Sequence, residues 1–179
     1  MTFLEKIKSY KSFFYSAVII MAVFLNFYPN CFGNKSTLAQ DNTNSQVDIF
    51  VHQLDKEIEK LNKLDSEISN LNPESSNLSS DFKKITSSYK ITVKESLDIY
   101  KSIPKGENLD FDKAIELAMG GSNKINIALD AMDKAIINRN EKSFTTATNQ
   151  YNEGIEILNE SISQCQVPIS LDTVSAIKN

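Results

Sequence analysis

Disulfide chemistry has little to work with in this chain, which holds two cysteines, Cys31 and Cys165. Cys31 lies in an N-terminal segment patterned for removal, and the one cysteine left cannot close an intramolecular bridge, so packing must supply the stability. Cys165 falls on the apolar stripe of a predicted helix and reads as a buried, inert side chain. Tryptophan is absent, and five glycines and four prolines in 179 residues suit long helices better than a turn-rich sheet.

Histidine is equally scarce. His52, the only one, sits among Val51, Gln53 and Leu54 on the flank of an apolar stripe and reads as an ordinary boundary residue. A single histidine excludes the di-metal carboxylate bundle, which takes a Glu-x-x-His from each of two helices. No Cys-x-x-Cys-His haem attachment occurs, and Gly120-Gly121 lacks the Lys-Ser/Thr that would complete a phosphate loop. Asp110, Asp112 and Glu116 cluster at a helix start, where acids offset the macrodipole, and their spacing is not that of a calcium loop. No catalytic, cofactor-binding or metal-binding residue is therefore assigned, and the chain reads as non-enzymatic.

Arginine occurs once, at Arg139. Setting aside residues 1–39 leaves 15 basic against 22 acidic side chains, a net of −7 compared with −4 for the whole chain. An acidic chain without a basic patch excludes nucleic acid as a partner, because counterion release from phosphates drives that association.

What is present begins with an address. Lys6, Lys8 and Lys11 precede an uncharged run from Ser12 to Asn34, of which Phe13 to Leu25 is apolar apart from Tyr15 and Ser16. Asn26, Phe27, Tyr28 and Pro29 break the run, and Thr37-Leu38-Ala39-Gln40 supplies small residues for a signal peptidase. The expectation is a secretory signal over 1–39, cut between Ala39 and Gln40, with export to a periplasm, a thylakoid-type lumen or the extracellular space. The alternative is an uncleaved anchor in which residues 12–28 stay in the membrane, although a span usually needs about 20 apolar residues. Tyr28-Pro29-Asn30 occupies the places where a lipobox has small residues before its cysteine, which argues against lipidation at Cys31.

Beyond a polar linker, 40–45, roughly 120 residues carry helical periodicity, enough for one domain with one core. Ser45 followed by Asp48 predicts the cap of a first helix, with Val47, Phe50, Val51, Leu54, Ile58, Leu61, Leu64, Ile68 and Leu71 inward. Lys56, Glu57, Glu59, Lys60, Lys63 and Glu67 fill its other faces, and Pro73 ends it. A second stripe runs Phe82, Ile85, Tyr89, Val93, Leu97, Tyr100 and Ile103, although Tyr89 to Lys94 also alternates like a strand. From a cap at Asn108 or Asp110, a third carries Phe111, Ile115, Ala118, Ser122, Ile125, Leu129, Met132 and Ile136. Gly120-Gly121 is either a close-packing point inside that helix or a turn between two. Asn138-Arg139-Asn140 reads as a turn, and Phe144, Ala147, Tyr151, Ile155, Leu158, Ile162 and Cys165 make a fourth stripe before Pro168 and a tail, 166–179.

Four amphipathic segments with short connections predict an all-α fold, an antiparallel up-down four-helix bundle over 46–165. Within the C-terminal half, Phe111 through Ala118, and again Phe144, Ala147, Tyr151, Gly154 and Ile155, resemble the second helix of a tetratricopeptide repeat, in copies 33 residues apart. That resemblance implies a helix-pair array with a concave surface for another protein, and no catalytic residues. Asn34-Lys35-Ser36, Asn77-Leu78-Ser79 and Asn159-Glu160-Ser161 match the glycosylation pattern, at a density expected by chance in so Asn- and Ser-rich a chain. The functional expectation is an exported helical protein that acts by contact with an unknown protein partner, touching a membrane only through residues 12–28 if these are retained.

Overall fold

The computed structural model describes residues 40–72, 74–106 and 109–165, and side chains within 45–164. Cys31, Ala39 and the rest of the N-terminal segment, the tail 166–179, Asn108 and the side chains of Gln40 and Cys165 lie outside the described residues. Among the described residues there are four helices and no strand: α1 (Gln40–Ser69), α2 (Leu78–Ser102), α3 (Leu109–Ile137) and α4 (Glu141–Cys165). None of them is long and apolar enough to cross a membrane.

The apolar stripes meet in one core, giving an all-α, bundle-like body. Val47, Phe50, Leu54, Ile58, Leu61 and Leu64 of α1 are buried against Phe82, Tyr89, Val93 and Tyr100 of α2 and the whole of the α3 and α4 stripes to Ile162. Phe50 seats its ring against Tyr100 and, edge-on, against Phe111, with centroids 5.3 and 5.5 Å away. These are favourable tilted and edge-to-face geometries for aromatic pairs. Residue numbers in paired helices run in opposite directions. Lys113 meets Glu160 while Lys124 meets Glu153, and Gln53 meets Ser96 while the groove described below joins Leu64 to Ile85.

Three local expectations are corrected. The first helix does not start at Ser45; it reaches back to Gln40, because Gln40 to Asn44 contains no proline or glycine to stop it. Ser45 is thus inside the helix. The strand-like alternation of Tyr89 to Lys94 is helical, and Ile91 points outward with 62% exposure while Tyr89, Val93 and Tyr100 keep the inward spacing. The tetratricopeptide-like reading fails at Gly120-Gly121, where α3 runs unbroken from Leu109 to Ile137 and leaves no turn to separate the helices of a repeat.

The second glycine has a packing reason. A Cβ on Gly121 would lie 2.8 Å from the Gly154 carbonyl oxygen and 3.0 Å from the Leu158 nitrogen, and one on Gly154 would lie 3.0 Å from the Ile125 nitrogen. Here α3 and α4 approach backbone to backbone. At the far end of α3 the chain turns through Arg139 at φ 47°, with Arg139 N–H donating to Ile136 and Asn140 N–H to Ala135. That pair of bonds is a Schellman ending. Asn140 then caps α4, its Oδ1 accepting from Ser143 N–H at 3.0 Å.

Candidate functional site

The interior of the body is less apolar than its stripes imply. Glu57, expected on an outer face, is fully buried, and its carboxylate accepts hydrogen bonds from Tyr89 Oη at 3.3 Å and Tyr100 Oη at 3.2 Å. Ser96 Oγ, which accepts from Gln53 Nε2 at 2.9 Å, lies beside it, and Ser122 of α3, also close by, donates to the Ala118 carbonyl at 2.7 Å. Burial pushes the Glu57 pKa up, and those four hydroxyls pull it partly back.

Two turns along α1, Asp65 is 4% exposed and accepts from Tyr151 Oη of α4 at 2.5 Å. Its second oxygen, Oδ2, has no partner. Burial raises the Asp65 pKa to about 7, against a lowering by the Tyr151 hydrogen bond, so the group changes charge near neutrality. Tyr89 and Tyr151, buried beside these carboxylates, are both pushed well above the usual tyrosine range, by burial first and the acid charges second. Together Glu57, Asp65, Tyr89, Tyr100 and Tyr151 make a polar seam that joins α1 to α2 and α4. No cation reaches it: Glu57 and Asp65 make no ion pair among the described residues.

Spacing alone contained the signal for these two acids. Leu54-Glu57-Leu61 and Leu61-Asp65-Ile68 keep the same threes and fours as the apolar stripe. Tyrosines at 89, 100 and 151, all on stripes, also require acceptors once buried.

Outside the seam, the C-terminal half of α1 and the N-terminal half of α2 part to leave an open groove of about 600 Å³. Its walls carry Leu64, Leu71, Ile85 and Tyr89 with Lys60, Lys63 and Lys84, against the acids Glu67 and Asp81. Tyr89 therefore belongs to both features, as one wall of the groove and a donor to Glu57. Lys63 lies 3.8 Å from Glu67, while Lys60 and Lys84 make no ion pair among the described residues. The volume suits a drug-sized body or a few side chains of a partner.

The other residues singled out in the sequence have structural work. His52 is exposed, and its charge acts on Asp55, whose pKa is raised by burial and lowered in part by that neighbour. Asp112 Oδ2 accepts from Gly106 N–H at 2.7 Å and Glu116 pairs with Lys105 at 3.0 Å, so both fasten the connection between α2 and α3. Ser161 is fully buried and donates to the Ala114 carbonyl at 2.7 Å, which ties α4 to α3. Among the described residues no group of three or more His, Cys, Asp and Glu is placed to hold a metal ion. No family model, curated protein or solved structure matches this chain.

Proposed function

We propose that this is an exported, non-enzymatic accessory protein: an antiparallel up-down four-helix bundle, freed by a cut between Ala39 and Gln40, that works by gripping another protein. The groove between α1 and α2 carries the reading. It sets Lys60, Lys63 and Lys84 around an apolar wall of Leu64, Leu71 and Ile85, in a chain whose net charge beyond residue 39 is −7. Three lysines against Glu67 and Asp81 leave the groove locally positive on an acidic protein, and Lys60 and Lys84, which make no ion pair among the described residues, favour a partner segment with acidic residues flanking apolar ones, since opposite potentials steer the encounter and apolar burial holds it. The bundle's own acidity would repel such a segment elsewhere.

A partner recovered with the chain from Gln40 onward should, when titrated into isotope-labelled protein, perturb signals centred on 60–72 and 81–89. Reversing the three lysines, K60E/K63E/K84E, should weaken that binding at least tenfold, while K113E/K142E on α3 and α4 should leave it unchanged. A footprint on the outer face of α4, or indifference to the triple reversal, would sink the groove reading. Export is checked separately: N-terminal sequencing of the mature protein should start at Gln40, and a full-length species in the membrane fraction would favour the anchored form.

A further inference from the structure

The interior seam and the groove meet along the same stretch of α1. Between residues 60 and 69, the Asp65–Tyr151 hydrogen bond is the one side-chain hydrogen bond or ion pair that ties α1 to another helix, among the described residues. By contrast, the preceding turns are tied by four such bonds, from Gln53 to Ser96, Lys56 to Glu95, and Glu57 to Tyr89 and Tyr100. We propose that the Asp65–Tyr151 pair is a proton-controlled latch: protonated, it closes the C-terminal half of α1 onto α4, and deprotonated, it frees that half to move and reshape the α1–α2 groove. The regulatory role rests on the groove being the binding site, whereas the latch itself does not.

The geometry gives the latch its two states. With the proton on, Asp65 is a neutral acid in an apolar interior, one oxygen bonded to Tyr151 and the other needing no counter-charge. With the proton off, a carboxylate sits at 4% exposure with one hydrogen bond, an empty Oδ2 and no cation. Such an anion is far better solvated in water than inside a protein. The titratable groups facing it are Tyr151 from α4 and Tyr89 from α2, with Glu57 beyond Tyr89 on α1 itself, and each is neutral or negative. The Tyr151 hydroxyl offsets part of the charge, and no cation among the described residues offsets the rest. Any opening that wets Asp65 therefore becomes easier as the proton leaves, by about tenfold per pH unit between the unfolded value of 3.8 and the folded value of about 7. The Gly121–Gly154 approach keeps α3 and α4 together independently of this group.

Hydrogen exchange of backbone amides in the full chain, corrected for intrinsic rates and followed from pH 5 to 8 without any partner, tests the latch. Protection of residues 60–69 should fall as pH rises and level off above about 7, and at pH 8 should lie at least tenfold below that of the Ile125 amide, which reports opening of the whole body. Asp65→Asn, which keeps the shape and an acceptor but carries no charge, should remove the pH dependence and raise protection of 60–69 at pH 8 at least tenfold. Tyr151→Phe removes the donor that stabilises the carboxylate, so the Asp65 midpoint read by carboxyl carbon NMR should move up. The latch is overturned by any of these: protection of 60–69 equal to that of Ile125, no pH dependence, no response to Asp65→Asn, or an unmoved midpoint in Tyr151→Phe. Because no partner is present, failure of the groove reading leaves these outcomes intact, and their failure leaves the groove footprint to be judged by itself.

Discussion

Glu57 and Arg139 both sit where their chemistry alone would not place them. Glu57 is an acid in the core, and removing it strands the hydroxyls that it accepts from. Glu57→Ala should cost about 1–3 kcal/mol for each tyrosine hydroxyl left without an acceptor, while Glu57→Gln, which still accepts, should recover most of that loss in urea unfolding. Arg139 holds a left-handed backbone at φ 47°, where a Cβ is unfavourable and glycine is the usual occupant of this helix-ending position. Arg139→Gly should raise stability by about 1 kcal/mol, seen as a higher unfolding midpoint with unchanged helix content. A loss of helicity instead would mean that the guanidinium does something other than occupy the turn.

Among the elements, the α3–α4 pair is the closest packed, and its two adjacent glycines separate propensity from packing. Gly120 is exposed, and a Cβ there would meet only Ile157 Cγ2 at 3.9 Å, an ordinary contact. Gly120→Ala should therefore stabilise by up to about 1 kcal/mol through helix propensity. One residue later the sign reverses. A Cβ on Gly121 would press on the Gly154 carbonyl and the Leu158 nitrogen, which are backbone atoms that cannot rotate away. Gly121→Ala should destabilise by about 1–3 kcal/mol, the range for forcing extra volume into a packed interior. Paired thermal melts of the two variants decide the matter, and equal shifts would contradict the close approach. The surface ion pairs, such as Lys56–Glu95 between α1 and α2 and Lys105–Glu116 at the α2–α3 connection, are half exposed and add little by comparison.

For the whole molecule, the buried acids set how stability follows pH. The unfolded chain releases the Asp65 proton near 3.8 and the folded chain near 7, so between these values the native state holds one more proton. Stability is then fully present below about 4, falls as pH rises, and flattens above about 7. Raised in the same direction by burial, Glu57 adds to the fall. The Asp65 contribution is of the order of 4 kcal/mol across that window. Urea unfolding at pH 4.5 and 7.5 should show Asp65→Asn gaining stability relative to the parent at the higher pH, with much less difference at the lower. A parent that is more stable at 7.5 than the variant would contradict a charge buried without a counter-charge.

Helix number, helix type and most of the core were legible from periodicity, because a stripe recurring at threes and fours can be buried only by a helix. Phe111 through Ile136 shows this well, with all eight stripe positions inside. The Asn138-Arg139-Asn140 turn was legible too, since Asn140 can cap the helix that follows it. Three things waited for the tertiary structure. Gly120-Gly121 is a crossing point only because Gly154 of α4 arrives opposite Gly121, and no local property of α3 announces a neighbour 33 residues away. Glu57 and Asp65 share the spacing of the stripe, but whether an acid at such a position turns inward depends on Tyr89, Tyr100 and Tyr151 being brought to it by α2 and α4. The groove exists because two helices that pair tightly near Glu57 part beyond it, a relation between elements that neither one encodes alone. Local chemistry determined the helices and their inward faces; the meeting of side chains from different helices decided where charge is buried and where the surface opens, because desolvation and contact depend on what lies opposite.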